Sequence, residues 1–141
     1  MVQLLVIIGA GIFVLLGVIH TAFTLQDFDS PRYFAPGDAE LLAAMRQSAV
    51  GLNPKINLWE AWLGFNFSHS LGLLMFGGAF LYTGIFYPSV FSESKVLQVC
   101  SILIPAIYVI LSLRFWFVNP AVFAGISMSC FVLAVALIYV Q

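Results

Sequence analysis

The amino-acid sequence predicts an all-α fold: an antiparallel bundle of four transmembrane helices, with an amphipathic interfacial helix between the first and second spans. Three observations lead there. Of 141 residues, 62% are hydrophobic and only 8% charged, whereas soluble domains carry about a quarter charged residues. Four apolar runs each approach the roughly 20 residues that a helix needs to cross a hydrocarbon core about 30 Å thick. Seven of the eleven charged residues are gathered in one polar break between Gln26 and Asn57. The length leaves room for a single integral membrane domain, residues 1–141, and little else.

Span one is expected over residues 2–25, with no charge in it and with Gly9, Gly11 and Gly17 as points where another helix could come close. It starts without a basic residue and runs on to Leu25 with no small-residue cleavage pattern, so a retained anchor is expected rather than a cleaved signal. The polar break carries Asp29-Ser30-Pro31, Ala35-Pro36-Gly37 and Asn53-Pro54 and has to leave the hydrocarbon. Within it, residues 38–49 open on Asp38 and Glu40, favourable at a helix start, and place Leu41, Leu42, Met45 and Ala49 on one face. A short helix on the membrane surface is expected there.

Span two is expected over residues 58–82, with Trp59, Trp62 and Tyr82 near its ends as rings suited to the headgroup level. A short connector through Pro88 and Lys95 leads to span three, residues 96–117, in which Pro105 predicts a kink. Asn119-Pro120 breaks the chain before span four, residues 121–140. Arg32, Arg46, Lys55 and Arg114 fall on one side of the four spans and Lys95 on the other. The bias of basic residues toward the cytoplasm then makes this a multi-pass protein of the cell membrane, with both termini extracytoplasmic.

Two small-residue seams suggest the packing: Gly64, Ser68 and Gly72 on span two, and Ala121, Gly125 and Ser129 on span four. On that basis spans two and four form the closest pair. Span two also carries polar groups, with Trp62, Asn66 and His69 on one face by helical spacing. An ionisable residue inside a membrane span marks a candidate functional site. The alternative is structural: His69 bridges to Asn66 and to hydroxyls of facing helices, and so holds the bundle in register. His20 on span one, Glu60 at the start of span two and Arg114 at the end of span three are expected at similar depth and could form a cluster in which Glu60 and Arg114 neutralise each other. The competing reading has both charges reaching the interface on their own.

His20 and His69 also invite a bis-imidazole haem. Counted from the membrane edges they differ in depth by roughly 6 Å at about 1.5 Å per residue, which argues against haem, and no cofactor is expected. A metal site is not expected either, because no Cys, His, Asp and Glu cluster has ligand spacing. Cys100 and Cys130 lie within apolar runs, as small buried hydrophobes do. Hydrolase, nucleotide-loop and zincin motifs are absent, and a net charge of −1 with no basic run speaks against nucleic acid. Asp27 and Asp29 could make a carboxylate pair, but acidic residues after a helix end are more often solvated loop.

The stretch Trp59-x-x-Trp62-x-Gly64-Phe65-Asn66-x-Ser68-His69-Ser70 resembles that of a family of small bacterial membrane proteins sharing a G-F-N-x-S-H-S stretch in the second span. The resemblance extends to Gly17-x-x-His20 and to the Pro36-to-Met45 part of the loop, and so covers roughly the first 80 residues. It implies a four-helix membrane protein of bacterial origin with Trp62, Gly64, Asn66, Ser68 and His69 as its signature, and implies no activity. The functional expectation is a membrane binding or assembly subunit whose partners are the lipid bilayer and either a lipophilic ligand or a membrane protein partner. The alternative is a membrane-embedded enzyme or small b-type cytochrome using His20 and His69. A channel or carrier is disfavoured, because one short chain offers few charged residues to line a path.

Overall fold

A computed structural model describes residues 1–140. In chain order the elements are α1 (Val2–Asp29), α2 (Ala39–Gln47), β1 (Ala49–Val50), β2 (Asn53–Asn57), α3 (Leu58–Phe86), α4 (Pro88–Glu93), α5 (Lys95–Phe115) and α6 (Val118–Val140). The fold is all-α, and α1, α3, α5 and α6 are the four helices long and apolar enough to cross a membrane. By length and composition this is a multi-pass membrane protein. These helices are apolar on every side, as helices surrounded by hydrocarbon are: Val96, Leu113, Met75 and Leu4 are among the many large apolar side chains left exposed. The chain divides into two compact units, one of residues 1–16 and 73–140, the other of residues 17–72. Both α1 and α3 contribute to each.

In the first unit, α5 packs along α6, and the core contains Val6, Ala10 and Phe13 from α1, Leu73, Phe76 and Phe80 from α3, Phe91 from α4, and Ala124, Phe131 and Ala134 from α6. The rings interlock edge to face. Phe13 and Phe76 have centroids 4.7 Å apart, and Phe80 and Phe131 lie 5.4 Å apart. Such pairs add roughly 0.5–1.5 kcal/mol beyond their buried area.

Buried polar side chains then tie the helices together. Ser127 Oγ donates to the Gly9 carbonyl at 2.7 Å. Gln98 Nε2 donates to the carbonyls of Phe91 and Ser92, and its Oε1 accepts from the Tyr139 hydroxyl at 2.9 Å. One glutamine so joins α4, α5 and α6. Helix α4 occupies what the sequence suggested was a plain connector, because Pro88 starts a short helix whose Phe91 is buried in the core. Helix α6 begins three residues earlier than expected, with Pro120 within its first turn, where its missing N–H costs nothing.

The small-residue seams are a correction. A Cβ placed on Gly64 or Gly125 meets nothing within 4 Å, and Gly64, Ser68 and Gly72 are exposed. On α6, Ala121 is buried but Ser129 is exposed and returns its hydroxyl to the Gly125 carbonyl. Helices α3 and α6 meet instead through Phe76, Phe80 and Phe131. Close backbone approach occurs at Gly77, where a Cβ would lie 2.7 Å from the Val14 nitrogen and 2.9 Å from the Ala10 carbonyl of α1. At Gly9 a Cβ would stand 3.0 Å from the Phe131 ring, whereas Gly11 faces open space. The close approach falls outside the i, i+4 pattern of small residues, since Gly77 has Leu73 and Leu81 four residues to either side.

The second unit holds the ends of α1 and α3 that the polar break connects. Asp38 caps α2 by accepting from the Glu40 and Leu41 N–H groups. Helix α2 has no buried residue, and it leads into a two-stranded antiparallel hairpin that the sequence did not suggest. The hairpin passes directly into α3 through Asn57.

Gly77→Leu is expected to lower bundle stability by about 1–3 kcal/mol or more, the usual range for overpacking, because its new side chain meets the α1 backbone at Val14 and Ala10 as well as the Val14 side chain. Gly64→Leu and Gly125→Leu should be close to neutral. Thermal unfolding of the three variants in one detergent checks this, and equal losses would show that Gly77 is not the critical approach.

Candidate functional site

The polar residues of α3 and the end of α1 converge in the second unit, on His20. Its Nε2 lies 3.1 Å from Asn66 Oδ1. Asn66 Nδ2 donates to the Trp62 carbonyl at 2.9 Å, and this orients the amide so that its oxygen faces the histidine. A carbonyl oxygen only accepts, so His20 Nε2 carries the proton and Nδ1 is left as the acceptor nitrogen. The His69 ring lies against His20 with centroids 4.8 Å apart and planes tilted by 60°. Phe34 stacks on His20 with centroids 4.5 Å apart and planes 29° apart.

Phe34 reaches this position because Asp27 holds the chain that follows α1. Asp27 is fully buried, at 0% exposure. Its Oδ1 accepts from the Arg32 and Tyr33 N–H groups at 2.8 Å each, and its Oδ2 accepts from the Phe34 N–H at 2.6 Å. Hydrogen bonds to a charged acceptor are worth roughly 1.5–3 kcal/mol each, so the carboxylate pins residues 32–34 as a strap. Tyr33 stacks on Phe23 of α1, with centroids 4.1 Å apart and planes 7° apart. Trp62 Nε1 donates to the Phe34 carbonyl at 2.9 Å and closes the circuit back to α3. Asp27 is therefore a structural anchor and no part of a solvated loop. Its cue in the sequence was weak: an acid in the last turn of α1, five to seven residues before the amides it collects.

Of the residues singled out from the sequence, His20, Trp62, Asn66 and His69 come together. Asn66 serves His20, where the spacing on α3 had suggested His69 as its partner. Ser68 is exposed and donates to the Phe65 carbonyl of its own helix, apart from that group. Glu60 and Arg114 each make a local contact within their own unit. Glu60 Oε2 accepts from the Asn57 N–H while the Glu60 N–H donates to Asn57 Oδ1, a reciprocal cap on the start of α3. Arg114, in the last turn of α5, lies over the Phe115 ring at 5.8 Å. Trp59, expected at the headgroups, is buried at 4% exposure.

The two histidines lack the geometry of trans haem ligands. With metal–imidazole bonds of about 2 Å, such rings have centroids roughly 6 Å apart with their nitrogens facing each other across the metal. Here the rings are in near contact and the His20 Nε2 proton is directed at Asn66. Among the described residues no group of three or more His, Cys, Asp or Glu could hold a metal ion. The arrangement orders two imidazoles among Phe23, Tyr33 and Phe34, with the Asn66 amide and the Trp62 indole N–H committed to holding them. Comparison with models of known protein families, with curated proteins and with solved structures finds no match.

Replacing Asp27 by Ala orphans three backbone donors at once and is expected to free the strap. Trypsin cleavage after the exposed Arg32 should become several-fold faster than in wild type, while helix content by circular dichroism stays nearly constant. Wild-type cleavage kinetics in Asp27→Ala would mean that the carboxylate does not hold the strap.

Proposed function

We propose that this protein is a membrane binding subunit that holds a lipophilic ligand by its polar head at the His20 and His69 pair. The observation that carries the reading is the fixed state of His20, whose Nε2 is committed to Asn66 and whose ring is stacked by Phe34. Polar side chains within apolar helices are costly, and sites that recognise a ligand are those in which each recognising group is held by supporting contacts. Mere register between two helices would need one hydrogen bond, whereas here an anchored strap, an indole, an amide and two imidazoles are ordered together.

Two variants separate ligand contact from scaffold. His69→Leu is expected to keep its fold and to lose a co-purifying lipophilic molecule that native mass spectrometry detects on wild type, and His69→Gln should retain part of it. If wild type and His69→Leu carry the same lipids in the same amounts, the ligand reading fails.

We further propose that the protein lies in the cell membrane with both termini extracytoplasmic. The basic residues Arg32, Arg46 and Lys55 of the strap-to-hairpin segment support this orientation. Gln141 lies outside the described residues, and the prediction for it rests on the even number of spans. Alkaline phosphatase fused at either end should be active, and a fluorescent reporter that lights up in the cytoplasm when fused at both ends would invert the orientation.

A further inference from the structure

Phe34 is held differently in its backbone and in its ring. The backbone is fixed from both sides, its N–H on Asp27 Oδ2 and its carbonyl on the Trp62 indole. The ring is only half-buried, and no side chain of residues 30–38 is buried. The ring can therefore turn about its Cα–Cβ bond while every hydrogen bond of the strap stays in place, and rotamer changes of partly exposed side chains are fast and cheap. What the turn would expose is the flat face of His20 now covered at 4.5 Å.

We propose that Phe34 is a gate that occupies the place of the ligand's head, so that the ligand carries a planar ring on a lipophilic tail. This rests on the binding role assigned above to the His20 and His69 pair. A planar ring stacks on His20 where Phe34 stacked, and a stacked ring is selected over a bulky non-planar head because the same contact distance has to be met across the whole face. Trp62 shapes the rim: it is 38% exposed, and its stacking partner Phe65, 6.0 Å away, continues the aromatic surface outward.

The test uses the full chain in nanodiscs and follows modification of His20 by diethylpyrocarbonate with peptide mass spectrometry. Phe34→Ala should raise the rate several-fold, and Phe34→Leu, which keeps bulk without a flat ring, should give an intermediate rate. Decylubiquinone, a planar head on an alkyl tail, should slow the reaction, more strongly in Phe34→Ala than in wild type. Decanol, the same tail without the ring, should leave it unchanged. An unaltered His20 rate in both folded variants overturns the gate. Equal protection by decanol and decylubiquinone overturns the planar head while leaving a lipophilic ligand at the site, and protection by neither compound in any variant removes the ligand reading as well. Should Phe34→Ala fail to fold, the Phe34→Leu rate alone decides: a wild-type value overturns the proposal.

Discussion

In helices that are apolar on every side, a polar group must find its partner within the protein, because leaving one unpaired in hydrocarbon costs several kcal/mol. The rest of the structure follows from how that demand is met. Thr21, Thr24, Ser70, Thr83 and Ser129 return their hydroxyls to the carbonyl one turn earlier and ask nothing of a neighbouring helix. Ser127, Gln98 and Asn66 reach a neighbouring helix instead, and these residues fix one helix against another. Apolar contact alone would supply weak direction, since lipid tails compete for the same surfaces on nearly equal terms. The bundle owes its register to a few polar bonds and to close fits such as Gly77 against α1.

Asp27 is the extreme case. A buried carboxylate is tolerable only when its lone pairs are used, and three backbone amides from five to seven residues onward use them. The strap is thus the solution to two problems at once: it satisfies the acid, and the acid satisfies amides that no regular element would have paired. Phe34 is carried to His20 by that exchange. Glu60 is exposed and faces no such demand; it caps its own helix through Asn57.

Much of the fold was legible because membrane spans are set by composition and length, which need no knowledge of three-dimensional neighbours. The apolar runs located all four long helices, and Asp38 with Glu40 located α2. What failed depended on rotation and on chain path. Gly64, Ser68, Gly72 and Gly125 have the spacing for close packing, yet the same spacing says nothing about which side of a helix meets another, and Gly77 took that role. The candidate site is legible in part: the polar groups of α3 stand out by their cost, and His20 stands out as the other imidazole. Phe34 was invisible among fourteen phenylalanines, since its significance comes from a loop conformation that only the Asp27 contacts create.

The order of these constraints explains why the site has a defined chemistry. Asp27 fixes the strap, the strap fixes the Phe34 carbonyl, and that carbonyl takes the indole proton of Trp62. Four residues along, Asn66 places its amide nitrogen on the Trp62 carbonyl, which leaves its oxygen for His20. An amide turned the other way would present N–H groups to the imidazole and demand the opposite tautomer. The proton on His20 Nε2 is therefore set by a chain of bonds that begins at a buried acid seven positions away in sequence, and the acceptor nitrogen Nδ1 is fixed by the same chain. A helix pair joined only by apolar contacts could bring two histidines together, but it would leave their tautomers to chance.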